Sequence, residues 1–214
     1  VLMGAGPAAL ERHSGDFMRR AGSCAAALLW VAACFVHLKA VVSGGGSASI
    51  LFLLQISIVA WLFIVRRPAK RVDARPWHWL AAVGASFGPF LLQPGGEQVS
   101  LPPAIGFSLQ GSGIVLSLAA LLCLGKSFGI VAADRGLVTS GPYGLVRHPA
   151  YAAYLVSELG FLLLNFSAFN VLLLTVVWIL QVSRISAEER VLAGDPAYAK
   201  YKSQVTKRLI PAVW

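Results

Sequence analysis

The chain has 214 residues, a net charge of +9 and a mean hydropathy of +0.71, and 57% of its residues are hydrophobic while only 13% are charged. A soluble core in a chain of this size cannot bury so much apolar surface. The composition therefore excludes an ordinary soluble domain and indicates a protein that crosses a membrane several times.

Six apolar segments follow one another along the chain. They lie at about residues 21–42, 48–65, 77–93, 104–124, 150–165 and 169–186. Several approach the roughly 20 residues that a helix needs to cross a bilayer. The polar string 165–167 between the last two segments predicts a tight helical hairpin. The sequence thus predicts an all-α, polytopic membrane bundle of about six transmembrane helices.

The N-terminus also fits a secretory signal peptide, because Arg19 and Arg20 precede an apolar stretch. The stretch at 21–42 is longer than the apolar region of a typical signal peptide, and the later segments need a membrane in any case. We therefore interpret it as the first membrane span.

Basic residues lie in alternate connections between the segments. Of the 18 Lys and Arg residues, all but Lys39 lie before the first segment, between segments two and three, between segments four and five, or at the end of the sixth segment (Arg184) and beyond it. The remaining loops, GGGSAS at 44–49, QPGGEQ at 93–98 and NFSAFN at 165–170, contain none. The positive-inside rule then places both termini in the cytoplasm. The basic excess indicates topology and contact with membrane lipids, and we expect no nucleic-acid partner.

The three cysteines, Cys24, Cys34 and Cys123, all fall inside apolar segments. None has the spacing or the histidine neighbour of a zinc site. We therefore expect no metal site, no disulfide framework and no catalytic thiol, and we interpret these cysteines as small hydrophobic residues.

The composition changes near residue 125. Residues 1–124 hold four apolar segments with few polar side chains, whereas the link at 125–149 is rich in glycine and proline, which is typical of an irregular chain. We expect two regions, 1–124 with four membrane spans and 125–214 with the chemistry on the cytoplasmic side.

A histidine and a proline stand at the start of the fifth segment. Pro149 should begin a helix at its first turn and keep His148 outside the helical conformation. The free N–H groups of that helix end favour a negatively charged ligand. Tyr151, Tyr154 and Glu158 follow on one face. These residues also fit an interfacial aromatic belt with a paired glutamate, and both interpretations stay open.

A second polar cluster ends the sixth segment, where Arg184 precedes Glu188 and Glu189. An Arg and a Glu four residues apart on an exposed helix usually form a solvated ion pair. However, the predicted hairpin returns its two free ends to the same side of the membrane, so both clusters should meet there. Charged groups at a membrane interface are a functional hypothesis. The residues expected to converge are Arg147, His148, Tyr151, Arg184, Glu188 and Glu189.

An ordered set of motifs over about residues 120–211 resembles the isoprenylcysteine carboxyl methyltransferases. Each motif is short, and their order gives the resemblance its specificity. It is similar, more loosely, to the phospholipid N-methyltransferases. The motifs are LVTSGPY at 137–143, RHPAY at 147–151, Arg184 followed by Glu188 and Glu189, and Tyr198 with Tyr201.

The resemblance implies an enzyme that binds S-adenosylmethionine from the cytosol. Glu188 and Glu189 would hold the ribose hydroxyls or the ammonium group, because carboxylates accept charge-assisted hydrogen bonds. The loop before the RHP motif and the start of the next helix would form the rest of the cofactor site. Those residues are Gly141, Tyr143, His148, Pro149 and Tyr151.

The resemblance further implies that Arg147 and Arg184 are catalytic and hold the carboxylate of a lipophilic small-molecule or lipidated acceptor. A carboxylate is already deprotonated, so ester formation needs alignment and no general base. An amine or thiol acceptor would instead need deprotonation by a Glu or His.

Other functions also fit the sequence. A phospholipid, small amine or thiol methyltransferase would use the same cofactor. A membrane sterol reductase would bind NADPH, and such enzymes share an RHP-type motif and an ending like RLIP at 208–211. A membrane scaffold or transporter would bind neither nucleotide.

Overall fold

The computed structural model describes residues 47–93, 97 and 99–210, together with Phe35, Leu38 and Val42. Apart from those three residues, which are helical, the predicted span at 21–42 lies outside the described residues, as do Cys24 and Cys34. The chain divides into two compact units, residues 1–65 and 66–214.

The described part of the chain is mostly helical, as its apolar segments predict. In the first unit, helix α1 covers Ser47–Val65 and contains no charged residue. The second unit has helices α2 Pro76–Phe87, α3 Pro103–Leu124, α4 Pro149–Leu164, α5 Ala168–Leu192 and α6 Pro196–Gln204, with strands β1 Arg71–Val72 and β2 Ala133–Asp134.

Two helical segments of the second unit, residues 103–127 and 168–192, are long and apolar enough to cross a membrane. Helix α4 is apolar but shorter. The segment predicted as a span at 77–93 is not one continuous α-helix. Helix α2 ends at Phe87, and a 3-10 turn, Gly88–Leu91, follows. Pro89 explains this end, because proline has no N–H to donate and its ring clashes with the preceding turn.

Proline occupies the first turn of every helix in the second unit except α5. Its fixed φ angle suits that position, and its missing N–H would have no helical partner there. Helix α4 begins at Pro149 with His148 at φ −128° just outside it, as the sequence predicts. Helix α5 is capped instead by Ser167, whose side chain accepts a hydrogen bond from the Asn170 N–H at 3.1 Å.

Helices α3 and α4 approach each other closely at glycines. A β-carbon at Gly113 would collide with the backbone of Ser157, and one at Gly160 with the backbone of Gln110. The absence of these side chains lets the two backbones pack directly. Helix α2 packs on α5, where Gly84 faces the side chain of Leu180.

The predicted hairpin of α4 and α5 is present, but it is not tight. Because α4 turns its glycine-bearing face to α3, an apolar groove of about 580 Å³ lies between α4 and α5. One polar contact joins the two groove walls: the Trp178 indole N–H donates to a Glu158 carboxylate oxygen at 2.6 Å.

The link between α3 and α4 and the C-terminal tail complete the second unit. Strands β1 and β2 pair antiparallel, with Arg71 opposite Asp134. The tail pairs with the segment before α4: Arg147 N–H donates to Lys207 O and His148 N–H to Arg208 O, both at 2.9 Å. These contacts bring the link, the first turn of α4, the last turns of α5 and the tail to one place.

Candidate active site

A cavity lies where the link, α4, α5 and α6 meet. Link residues 127–138 form one wall, and the first turn of α4 and the last turns of α5 form the opposite wall. Its lining includes six of the charged and aromatic side chains most relevant to chemistry: Arg135, Tyr143, His148, Tyr151, Arg184 and Glu188.

Tyr151 links the polar groups of the cavity. Its hydroxyl donates to a Glu188 carboxylate oxygen at 2.7 Å. Its ring stacks on the His148 ring, with centroids 5.6 Å apart, and the Arg184 guanidinium carbon lies 5.0 Å from the Tyr151 ring centroid. A carboxylate, an imidazole and a guanidinium are thus held around one buried phenol.

Glu189 lies on a different side of α5 from Glu188 and binds three cationic or polar groups. One carboxylate oxygen accepts from Arg147 Nε at 2.8 Å and lies 3.3 Å from His148 Nε2. The other oxygen lies 3.0 Å from Arg208 Nη2. The Glu189 side chain is only 7% exposed, so this network is buried between α4, α5 and the tail.

Arg147 is held by the protein at both ends of its guanidinium. Besides the bond to Glu189, its Nη1 donates to the carbonyl oxygens of Val205 and Thr206 at 2.8 and 2.7 Å. Arg147 therefore fastens the tail across the start of α4. Arg147 also contributes to the cavity lining, whereas Glu189 is not among the lining residues.

Arg184 is buried but has no carboxylate partner among the described residues. Its Nη1 donates to Ser86 Oγ at 3.1 Å and its Nη2 to the Gly129 carbonyl at 3.0 Å. Its Nε is buried without a hydrogen-bond partner. The ion pair with Glu188 that the i, i+4 spacing favours is not formed, because Arg184 turns toward α2 and the link.

Arg135 is a charged residue of the cavity lining that belongs to none of the sequence motifs. Its Nε and Nη1 atoms are buried and have no hydrogen-bond partner in the described part of the chain. Its guanidinium packs on Gly129, where a β-carbon would lie 3.4 Å from the guanidinium carbon. Burial, and next the Arg66 charge, lower the pKa of Arg135 to about 10, and the Glu188 charge opposes part of this shift. Its position two residues before the LVTSGPY motif is the one sequence signal that could have identified it.

The loop before α4 closes another side of the cavity. Gly141 has a φ angle of +61°, and a β-carbon there would lie 2.9 Å from Cys123 Sγ, so both conformation and space favour glycine. The Tyr143 carbonyl accepts from the Tyr201 hydroxyl at 2.7 Å. Burial raises the pKa of Tyr143 and raises that of Tyr201 to about 12, so both phenols are neutral at physiological pH.

The structure places the residues predicted from the sequence in two groups. Within the described residues, one group lines the cavity and the other supports it from behind. Tyr143, Arg147, His148, Tyr151, Arg184 and Glu188 belong to the lining; Gly141, Pro149 and Glu189 do not. No group of three His, Cys, Asp or Glu in the described part of the chain is arranged to hold a metal ion.

The donor set of the cavity suits a ligand that carries both charges. Arg135 and Arg184 present buried N–H groups without acceptors, and Glu188 presents a carboxylate. A buried cation without an anion is unfavourable, so an anionic ligand group would relieve both guanidiniums. S-Adenosylmethionine, with a carboxylate, an ammonium and a sulfonium, has complementary groups.

Comparison with known proteins gives one family. A model of the isoprenylcysteine carboxyl methyltransferase family matches residues 107–194. Protein-S-isoprenylcysteine O-methyltransferase of Schizosaccharomyces pombe is 38% identical over 112 residues, which are 48% of this chain and 46% of that protein. The chain thus spans about half the length of the curated relative that it matches.

A solved structure, that of the eukaryotic intramembrane Ras methyltransferase, also resembles the chain, with 22% identity and a TM-score of 0.46 over 79% of this chain and 69% of the other. The family match contains the start of α4 with the RHP motif and all of α5, including Arg184 and Glu188. Residues 107–194 therefore match the model of the isoprenylcysteine carboxyl methyltransferase family, the family that the ordered motifs of the sequence resemble.

Proposed function

We propose that this chain is an integral membrane enzyme that transfers the methyl group of S-adenosylmethionine to the carboxylate of an isoprenylcysteine-like acceptor. The observation that carries the proposal is the cavity in which buried, carboxylate-free guanidiniums face Glu188. The family match and the name of the Schizosaccharomyces pombe relative, an O-methyltransferase of S-isoprenylcysteine, support the same reaction.

The cofactor would occupy the cavity between the link and the start of α4. Glu188, oriented by Tyr151, would bind the cofactor's ammonium group or ribose, and His148 and Tyr143 would form the walls. When bound, S-adenosylmethionine supplies a methyl group on a positively charged sulfur that leaves as a neutral thioether. Gly141 and Pro149 would shape the loop and the helix start around it.

Arg184 would orient the acceptor. Its Nη1 and Nη2 are fixed by Ser86 and Gly129, so its planar guanidinium has a defined orientation and an unsatisfied Nε. A carboxylate bound there needs no general base, because it is ionised at neutral pH. The cavity has to exclude water and hold the carboxylate in line.

Arg147 would act indirectly in this proposal. Its donors are engaged by Glu189 and by tail carbonyls, so it would position the tail and the cavity wall. Glu189 would have the same supporting function. An amine acceptor would require a nearby base, and His148, whose Nε2 lies 3.3 Å from Glu189, would be the candidate.

The membrane arrangement follows from the helices and the charges. Helices α3 and α5 would cross the bilayer, and the apolar groove between α4 and α5 would admit the lipid tail of the acceptor. We propose six spans with both termini in the cytoplasm, and a methyltransferase core at 125–214. The cavity would then lie on the cytoplasmic side, where the cofactor is available.

Ligand binding and product analysis test the proposal. The purified full chain in detergent should bind S-adenosylmethionine and not NADPH by calorimetry, and should methylate an S-farnesylated cysteine derivative to a base-labile methyl ester. The corresponding farnesyl amide, which lacks the carboxylate, should not be methylated. Binding of NADPH but not of S-adenosylmethionine would favour a reductase. Methylation of an amine lipid but not of the farnesylcysteine carboxylate would contradict the proposed acceptor.

Cysteine accessibility tests the topology. In a background without the native cysteines, Ser47→Cys and Gly95→Cys should react with a membrane-impermeant maleimide from the non-cytoplasmic side. Ser203→Cys, which lies on the exposed side of α6, should react only from the cytoplasmic side. Labelling of positions 47 and 203 from the same side would reject the six-span arrangement.

A further inference from the structure

The cavity lining contains a second guanidinium with unpaired N–H groups, Arg135, besides the Arg184 guanidinium that would bind the acceptor carboxylate. Arg135 and Arg184 both contact Gly129, one by packing on it and the other by a bond to its carbonyl. Each has a buried N–H without a partner. Two cations close to one residue repel each other, and anions bound between them offset that repulsion. The arrangement therefore fits a second ligand carboxylate in addition to the carboxylate of the acceptor.

The backbone of Arg135 is held firmly enough to form a binding site. The neighbouring Asp134 pairs with Arg71 across β1 and β2, and its carboxylate accepts from the Gly136 N–H at 3.1 Å. The Arg135 carbonyl accepts from Ser127 Oγ at 3.3 Å. The side chain is thus directed into the cavity from a fixed strand end, which favours a defined ligand contact.

The surroundings of the two arginines indicate which carboxylate each would take. Arg184 lies on the long apolar helix α5 and contacts Ser86 of α2, so it is placed for a ligand that comes from the lipid side. Arg135 lies on the polar link, next to the basic residues 66 and 67, and interacts with the charge of Glu188. Arg135 is therefore placed for a water-borne ligand that also contacts Glu188.

We propose that Arg135 is a cofactor-specificity residue that binds the α-carboxylate of the amino-acid part of S-adenosylmethionine, while Glu188 binds the cationic part. A guanidinium and a carboxylate in one cavity form a charge pair complementary to an α-amino-acid zwitterion. The inference rests on the proposed function and adds a residue that the sequence motifs do not contain. It also explains why the buried Nε and Nη1 of Arg135 have no acceptor among the described residues.

The test compares two ligands that differ only in the carboxylate. Calorimetry on the full chain in detergent measures affinity for S-adenosylmethionine and for its decarboxylated form, which keeps the sulfonium and the amine. In the wild-type protein the intact cofactor should bind about 10- to 100-fold more tightly, the size of a charged hydrogen bond. Arg135→Gln should remove that difference and leave the affinity for the decarboxylated form within about threefold.

Two further variants separate binding from folding. Arg190→Gln removes an exposed cation from α5 and should preserve the preference for the carboxylate. Arg135→Lys keeps the charge but not the planar donor set, and should keep only part of the preference.

Three results would overturn the inference. The first is that the wild-type protein binds the two ligands with equal affinity. The second is that Arg135→Gln and Arg135→Lys both lose affinity for the two ligands to the same extent. The third is that Arg135→Gln keeps the wild-type preference for the intact cofactor. If the wild-type protein bound neither ligand, the proposed function itself would fail.

Discussion

Replacing Arg184 by lysine should lower turnover by about 100-fold, because it misaligns the acceptor while preserving the charge. The Arg184 guanidinium spans Ser86 Oγ and the Gly129 carbonyl and still has a buried Nε. An ammonium group is a compact charge without this planar fork, so it cannot keep both anchors and bind a carboxylate in the same orientation. Arg184→Ala should lower turnover further. Initial rates at saturating cofactor and acceptor measure both effects.

Cofactor affinity distinguishes acceptor binding from a general disturbance. In both variants, affinity for S-adenosylmethionine should stay within about threefold, equivalent to less than about 0.7 kcal/mol. Arg190→Lys is a matched control, because Arg190 is an exposed residue of the same helix. Wild-type turnover in Arg184→Lys would exclude Arg184 from the site and favour an amine or thiol acceptor, which needs no arginine.

Local sequence signals predicted the elements that build the site. Proline fixes its own φ and restricts the preceding residue, so the position of His148 before a helix that starts at Pro149 follows from two adjacent residues. The meeting of the two polar clusters follows from a short connection between apolar helices. The family resemblance depended on the same residues, which explains why it agrees with the family match.

The partners of the paired charges could not be predicted from the sequence. The resemblance assigned the same function to Glu188 and Glu189, but successive residues of an α-helix are rotated by about 100°. Glu188 therefore contacts Tyr151, whereas Glu189 contacts Arg147. The third partner, Arg208, comes from the tail, and its approach depends on backbone pairing that has no local signal.

Arg135 was interpreted only as part of the basic link. Its burial depends on the pairing of β1 with β2 and on the fold of a glycine-rich connection. Each strand has only two residues, which is too short for a hydrophobic period to appear. Tertiary structure, and not residue type, distinguishes Arg135 from the exposed cations that set the topology.

The substitutions Glu188→Gln and Glu189→Gln should impair different properties, cofactor affinity in the first and stability in the second, although the residues are neighbours. Glu188→Gln keeps an oxygen that can accept from Tyr151, so the free energy of unfolding should change by less than about 1 kcal/mol. It removes the negative charge from the cavity, so affinity for S-adenosylmethionine should fall by about 1.5–3 kcal/mol. Calorimetry measures the affinity, and thermal unfolding in detergent measures the stability.

Glu189→Gln should instead destabilise the fold. The Arg147 side chain is 4% exposed and would lose its counter-charge, and the tail would lose the Arg208 contact. Removing one partner of a buried ion pair typically costs about 3–5 kcal/mol, because the remaining charge stays desolvated. The loss should appear as a lower unfolding temperature and faster proteolysis after residue 204, where the tail leaves α6. Cofactor affinity, measured well below that temperature, should fall less than in Glu188→Gln. If Glu189→Gln instead left stability unchanged and weakened cofactor binding as much as Glu188→Gln, both carboxylates would hold the cofactor and the ion network would have no structural function.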